Sequence, residues 1–294
     1  MNITQLKQAC EETAQIIRAQ YLPPTQGSKD AEIIRLETRK TILEKDWFKK
    51  SSPVIQAQLL GLFELRDAND CIGFLQHLAH RPTIIGGVSI EEMTYLGIPA
   101  ERVYGIFVQF GVKRLDDDFR FRYQFFSWRQ GPYSGSKGLV LVRSEGETTH
   151  LILSVANSFA AGQSLYDLPG GFFFSPQDFS KKISGFLRET SEEIGLGPED
   201  VEEVIDIGPI HVDPGLTNNM PTLYLALIKE PAAAKIKVGQ VVNPDIREMK
   251  SYPVIIPASD LWGPEGHVLK NTNGMFARCV LAGLSLGLLK GPIS

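Results

Sequence analysis

A short segment of the chain combines charged residues at a spacing that could support chemistry. It runs from Arg188 to Leu196 and contains Glu189, Glu192 and Glu193. Residues three and four apart lie on the same face of a helix, so these carboxylates would crowd one turn. Near the C-terminal end of a helix, negative charges are disfavoured by one another and by the helix dipole. A hard divalent cation such as Mg²⁺, which prefers oxygen ligands, is the natural compensation.

The helix that would carry these glutamates also has an apolar side. The spacing predicts a helix from about residue 179 to residue 194, and the residues expected to face a core are Phe179, Ile183, Phe186, Leu187, Thr190 and Ile194. Judged on the glutamates alone, a solvated acidic face is the commoner explanation. The choice between a metal site and a solvated face therefore depends on the residues around the helix.

Those surrounding residues resemble a known motif. A Pro169-Gly170-Gly171 turn followed by Arg-Glu-x-x-Glu-Glu-x-Gly is similar to the Nudix box of nucleoside-diphosphate-X hydrolases. The metal ligands that this resemblance implies are the carbonyl group of Gly170 and the side chains of Glu189, Glu192 and Glu193. It also implies that these glutamates and Arg188 are the catalytic residues, with the arginine orienting the carboxylates by charge-assisted hydrogen bonds. The implied cofactor is Mg²⁺, with Mn²⁺ as the alternative.

The chain departs from the box in two respects. The segment between Gly171 and Arg188 is three residues longer than the pattern, and Ser180 stands where the first glutamate of the box is expected. Thr190 occupies a position that the pattern fills with a bulky aliphatic residue. Asp178 is a candidate replacement for the missing acid.

A later loop resembles the ADP-ribose and nucleotide-sugar branch of the same superfamily. It reads Asp-Pro-Gly-Leu-Thr-Asn from residue 213, and the resemblance implies that Pro214, Gly215 and Thr217 bind substrate. Arg129 is a candidate for neutralising substrate phosphates, with a solvated arginine beside a strand as the alternative. The arginine that this branch carries after its second strand is absent from Ala-Asn-Ser at residues 156–158.

The resemblance, which covers roughly residues 119–290, implies an enzyme. The expected reaction is Mg²⁺-dependent hydrolysis of a nucleoside diphosphate linked to another moiety, such as a nucleotide-sugar or ADP-ribose-like compound. The products would be a nucleoside monophosphate and a phosphorylated remainder. Two alternatives stay open. One is a catalytically weak Nudix-fold module that binds a nucleotide or regulates. The other is an isomerase acting on diphosphate esters, which is disfavoured because no cysteine lies near the box.

Composition restricts the partners and the compartment. The chain has 294 residues and a net charge of −4, which argues against a nucleic-acid-coating or membrane-surface protein. Its 3 cysteines are far apart and form no metal or disulfide pattern, so the cytoplasm is the expected location. The expected partner is a small-molecule nucleotide diphosphate, with no nucleic acid and no membrane, and a homodimer is left open.

The fold expected from these patterns is α/β, with a Nudix α/β/α sandwich built on a mixed sheet and a mainly helical region before it. Residues 1–100 are predicted to be a helical accessory region of unknown role, and residues 101–294 the Nudix hydrolase domain. Within the first region, Ser89 and Glu92 form a capping-box pattern that predicts a short helix ending near Gly97. Dense aromatic and β-branched residues predict strands at residues 103–110 and 119–128.

Overall fold

The structure is a computed structural model, and it describes most of the chain. The described ranges are residues 28–66, 70–97, 105–133, 135–158, 163–172, 182–213, 215–242, 251–271 and 273–292. The first 27 residues of the predicted helical region lie outside them, as do Ser180, Asp178 and Pro214. In the described ranges no helix is both long enough and apolar enough to cross a membrane.

The chain divides by its internal contacts into two compact units. Unit 1 comprises residues 1–132 together with Gly215–Asn218, and unit 2 comprises Tyr133–Pro214 with residues 219–294. The predicted domains, residues 1–100 and 101–294, stay a prediction. Aromatic and β-branched residues reveal that a segment is a strand, but they do not reveal which sheet the strand joins.

Unit 1 combines short helices with one antiparallel sheet. Its helices are α1 (Ser28–Glu44), α2 (Asp46–Lys50), α3 (Pro53–Gly61) and α4 (Ile72–His80), with a 3₁₀ turn at Leu62–Glu64. Its strands are β1 (Ile84–Ile85), β2 (Val88–Gly97), β3 (Gly105–Arg114) and β4 (Arg120–Trp128), paired in that order. The helices and one face of the sheet share a core that includes Trp47, Phe63, Phe74 and Phe110.

The predicted helix at Ser89 is wrong, because these residues lie in β2. The buried residues of this strand, Ile90, Met93 and Leu96, are three positions apart, which imitates a helical period. Two irregularities in the pairing with β3, between Ile90 and Glu92 and between Met93 and Tyr95, each add a residue and keep the apolar side chains on one face. The Met93 N–H donates to the hydroxyl of Ser51 at 2.8 Å. β-Bulges therefore produced the helix-like spacing.

Unit 2 is built on a seven-stranded mixed sheet. Its strands are β5 (Gly135–Ser144), β6 (Glu147–Ser158), β7 (Gln163–Asp167), β8 (Gly170–Phe172), β9 (Val201–Pro209), β10 (Thr222–Lys229) and β11 (Ser251–Pro257). The order is β11-β6-β5-β10-β9, and β7 and β8 pair with β6 and β5. β5 and β10 run parallel, and the other described pairs are antiparallel.

Helices cover both faces of this sheet. The described helices of unit 2 are α5 (Lys182–Ile194), α6 (Glu230–Ala233), α7 (His267–Lys270) and α8 (Gly274–Ser285), with 3₁₀ turns at Pro198–Asp200 and Ala258–Leu261. Alternate residues of β5 and β10 enter two separate cores: one holds Phe186 and Ile194 of α5, and the other holds Phe276 and Cys279 of α8. The prediction of an α/β sandwich around a mixed sheet is confirmed.

Candidate active site

The glycine turn before the glutamate helix is fixed by β5. Gly170 pairs with Lys137 and Gly171 with Ser136, and the Gly138 N–H donates to the carbonyl of Pro169 at 3.0 Å. Gly170 has a φ of +148°, and a Cβ placed there would lie 2.2 Å from the carbonyl oxygen of Ser136. The chain can approach β5 this closely only with glycine at this position.

Helix α5 presents its glutamates beside this turn because its other face is anchored in the core. Phe186 and Ile194 are fully buried, and the ring of Phe186 stacks on Tyr224 with centroids 5.1 Å apart. Thr190, which replaces an aliphatic residue of the box, is also fully buried. Its hydroxyl donates to the carbonyl of Phe186 at 2.8 Å, so the helix itself satisfies this polar group.

Glu193 is tied directly to the glycine turn. Its Oε2 accepts a hydrogen bond from the Gly170 N–H at 3.0 Å. Burial raises the pKa of this carboxyl to about 8, although the positive charge of Lys137 and the bond from Gly170 act in the opposite direction. The negative charge of Glu189 adds to the increase. The positive charge near Glu193 is therefore too small to offset the effect of burial on its ionised form.

Arg188 holds the other two glutamates. Its guanidinium donates to Glu189 at 2.7 Å and to Glu192 at 2.9 Å, and it also donates to the carbonyl of Phe172 at 3.1 Å. Burial opposes the charge of Arg188, but the two carboxylates outweigh it and hold its pKa above the usual value. The orienting role expected for this arginine stays a prediction.

The donor types suit a hard cation, although among the described residues their present spacing does not form a metal-binding cluster. Glu189 is buried, and a Cβ added to Gly171 would lie 2.6 Å from its carboxyl carbon, so the glycine leaves a cradle for this carboxylate. All the implied ligands are oxygens, as Mg²⁺ prefers. Glu192 is turned towards Arg188, and within the described ranges no three His, Cys, Asp or Glu side chains are grouped closely enough to hold a metal. The full ligand set, including the Gly170 carbonyl, stays a prediction.

Two residues that the sequence did not single out, Lys137 and Asp167, lie close enough to Glu193 for their charges to act on it. Lys137 forms an ion pair with Asp167, and Asp167 also accepts hydrogen bonds from the Leu168 N–H at 2.8 Å and the Asn273 amide at 2.6 Å. The charges of Lys137 and Asp167 both act on Glu193. In the sequence, the only sign of this cluster is a lysine at the start of a buried strand. That lysine alone does not predict that Lys137 lies near Glu193.

Three of the four predicted substrate residues, Gly215, Thr217 and Arg129, lie in unit 1. The Gly215 carbonyl accepts a hydrogen bond from the hydroxyl of Tyr123 at 3.0 Å, and Thr217 forms a β-bridge with Phe126 of β4. Arg129 is only 8% exposed, and its carbonyl accepts a hydrogen bond from the N–H of Phe74 at 3.1 Å. The glutamates, Arg188 and Gly170 come together in unit 2. A substrate role for Gly215, Thr217 and Arg129 stays a prediction.

The chain was compared with known proteins. No protein-family model matches the chain. A solved structure of an ADP compounds hydrolase superposes with a TM-score of 0.40 and 14% identity, covering 65% of this chain and 94% of that one. At this TM-score the likeness supports no further conclusion.

A sequence relative is more informative. A protein of Bifidobacterium longum (strain NCC 2705), described as a nucleoside triphosphate pyrophosphatase/Nudix hydrolase fusion protein, is 28% identical over 132 residues. The match covers 44% of this chain and 24% of the relative, so this chain spans about a quarter of the length of that protein. Together with the glutamates and glycine turn of unit 2, this similarity confirms the resemblance of the chain to the Nudix superfamily.

Proposed function

We propose that the chain is a pyrophosphohydrolase that cleaves a nucleoside diphosphate linked to another moiety. The observation that carries this proposal is the position of Glu189 and Glu193, whose carboxylates lie against Gly171 and Gly170. Water would attack the diphosphate linkage and release a nucleoside monophosphate and a phosphorylated product. A nucleotide-sugar or an ADP-ribose-like compound is the proposed substrate class.

The residues of the site have separate tasks in this proposal. Glu189, Glu192, Glu193 and the carbonyl of Gly170 would hold Mg²⁺, with Mn²⁺ as the alternative. When bound, the metal polarises the diphosphate and makes water a stronger nucleophile. Arg188 keeps the carboxylates oriented through its two ion pairs.

The proposal also covers the substrate-binding residues, the partner, the location and the oligomeric state. Pro214, Gly215, Thr217 and Arg129 are the proposed substrate-binding residues. The proposed partner is a small nucleotide diphosphate rather than nucleic acid or a membrane, the proposed location is the cytoplasm, and a homodimer is left open.

A substrate panel tests the reaction. ADP-ribose, UDP-glucose and other diphosphate-linked nucleotides are incubated with Mg²⁺, with Mn²⁺ or with EDTA, and products are separated by chromatography. We expect a nucleoside monophosphate to form only when a divalent ion is present. Absence of turnover on the whole panel with either ion would contradict the proposal.

Glu193→Gln tests the site itself. The amide keeps an oxygen that can accept the hydrogen bond from Gly170 but removes the negative charge, so we expect turnover to fall by about 10²-fold or more while folding is retained. Glu203→Gln, which changes an exposed glutamate of β9 in the same unit, is the matched control and should retain the wild-type rate. Equal rates for the two variants would remove Glu193 from the mechanism.

A nucleotide-binding module without turnover is the second candidate. The observation that favours it is that Arg188 already neutralises Glu189 and Glu192, so part of the acidic charge is compensated within the chain. This candidate predicts saturable binding of ADP-ribose in calorimetry with no product after prolonged incubation with Mg²⁺. Product formation that depends on the metal would reject it.

A further inference from the structure

Lys137 lies opposite the glycine turn where β5 pairs with β8. Its register partner in β8 is Gly170, the residue whose N–H binds Glu193. A Cβ built on Gly170 would lie 2.6 Å from the Cα of Lys137 and 2.9 Å from its Cγ. The backbone pairing therefore places the lysine next to the carboxylates, 52 residues or more away from them in the chain.

The charges in this neighbourhood do not balance. Four acidic residues, Asp167, Glu189, Glu192 and Glu193, surround two basic ones, Lys137 and Arg188, which leaves a net charge of −2 when all are ionised. One divalent ion would neutralise this excess. A diphosphate brings further negative charge, so it needs cationic side chains that can reach its oxygens.

Of the two basic residues, Lys137 has the greater capacity for a new ligand. The guanidinium of Arg188 is directed to Glu189, to Glu192 and to the carbonyl of Phe172. The ammonium of Lys137 has three donors, and Asp167 is its one hydrogen-bond partner among the described residues. Its side chain is 23% exposed, so solvent and a ligand can reach it.

The lysine is also held in place. Asp167 is fixed by the Leu168 N–H and by Asn273, and the Oδ1 of Asn273 in turn accepts the Met275 N–H at the start of α8. A lysine anchored through a fixed carboxylate loses less freedom on binding than one that is free in solvent.

We propose that Lys137 is a substrate-binding residue whose ammonium contacts a phosphate oxygen of the diphosphate, with Asp167 and Asn273 as positioning residues. This inference rests on the proposed function, because it assumes that the glutamates of α5 receive a diphosphate.

Binding of α,β-methylene-ADP, a diphosphate that is not cleaved at the methylene bridge, tests this assignment. With Mg²⁺ present, we expect Lys137→Met to raise the Kd at least tenfold and Lys137→Arg to stay within about threefold of wild type. Mn²⁺ binding, measured by electron paramagnetic resonance without nucleotide, should not weaken in Lys137→Met. Lys229→Met is the matched control, because Lys229 also pairs with a carboxylate of unit 2, Glu202, at 2.6 Å.

The outcomes separate this inference from the proposed function. An unchanged Kd for the nucleotide in Lys137→Met would overturn the assignment. A higher Kd would also overturn it if Mn²⁺ binding weakened and Tm fell in the same variant, and if Lys137→Arg restored neither. If the panel shows no hydrolysis but binding still depends on Lys137, the hydrolase proposal fails and the assignment stands. If hydrolysis occurs and Lys137→Met changes neither KM nor Kd, the assignment alone fails.

Discussion

At the scale of single residues, buried hydroxyl groups differ in whether the fold satisfies them. Thr222 of β10 and Thr190 of α5 are both buried, at 2% and 0% exposure. The hydroxyl of Thr190 donates to the carbonyl of Phe186, whereas that of Thr222 has no hydrogen-bond partner among the described residues. A buried polar group without a partner costs free energy that an apolar replacement of the same shape recovers.

Thr222→Val should therefore stabilise the protein. Because the substitution removes an unsatisfied hydroxyl and keeps the branched shape, we expect the free energy of unfolding to rise by about 1 kcal/mol, or roughly 2–4 °C in Tm for a unit of this size. Thr190→Val is the matched control and should give no increase, because it removes a hydrogen bond that is formed. Thermal denaturation followed by circular dichroism measures both. A lower Tm for Thr222→Val would mean that a bound water satisfies this hydroxyl.

The raised pKa of Glu193 predicts that the stability of the metal-free protein depends on pH. Its pKa is raised to about 8 in the fold, above the value of an exposed glutamate near 4.3. Between these values the folded protein binds a proton that the unfolded chain releases, so stability without metal should fall as pH rises from about 5 to 8. The decrease should be on the order of a few kcal/mol.

Denaturant titrations in EDTA at several pH values measure this decrease. Glu193→Gln does not titrate, so the part of the decrease that comes from this residue should disappear in the variant. Mg²⁺ should reduce the decrease in the wild type, because a cation favours the ionised carboxylate. Equal pH profiles for wild type and variant would show that Glu193 is not protonated in the metal-free fold.

At the scale of elements, the two glycines before α5 have different tasks. A side chain at Gly170 would meet the backbone of Ser136 and Lys137, whereas one at Gly171 would meet only the carboxylate of Glu189 among its nearest contacts. Backbone atoms in a paired strand cannot move aside, but the end of a glutamate side chain can. The first glycine thus supports the fold, and the second leaves room for a functional group.

Alanine substitutions should separate these tasks. Gly171→Ala should leave Tm close to wild type but displace the Glu189 carboxylate, so that metal-dependent turnover or metal affinity falls by about 10–100-fold. Gly170→Ala should instead lower Tm, because of both its positive φ and the contact with Ser136. Tm and the Mg²⁺ dependence of turnover are measured for each variant. A Gly171→Ala protein with normal Mg²⁺ dependence would show that the cradle is not used.

Elements also show what could be predicted from sequence. Helix α5 was predictable because helical spacing and the charged motif are local. Phe186 and Ile194 are buried as expected, but Ile183, also expected to face the core, is exposed because it lies in the first turn of the helix. Strand β2 was not, because its bulges gave Ile90 and Met93 a helical spacing. The neighbourhood of Lys137 was hidden for another reason: strand pairing assembles it from positions far apart in the chain, and no local pattern encodes that pairing.

At the scale of the whole molecule, the chain divides into two compact units. Residues 105–128 have the composition of strands, and they form the sheet of unit 1 rather than that of unit 2. The segment Gly215–Asn218 returns to unit 1 from within unit 2, and its Leu216 carbonyl accepts a hydrogen bond from the Phe126 N–H at 2.8 Å. Segment composition cannot predict such a return, because it depends on a bridge to a strand ninety residues away.

The division into units predicts where a metal should act. The glutamates and the glycine turn belong to unit 2, so Mg²⁺ should slow amide hydrogen exchange in peptides that contain β8 and α5 and leave β2, β3 and β4 unchanged. Exchange measured by mass spectrometry on Glu193→Gln is the control, because this variant should lose the slowing. Adding ADP-ribose then tests the substrate loop: slower exchange in the peptide that contains Gly215 and Thr217 would support their predicted role, and unchanged exchange there would count against it. Slowing by Mg²⁺ in the strands of unit 1 alone would place the metal away from the glutamates and contradict the assignment of the site to unit 2.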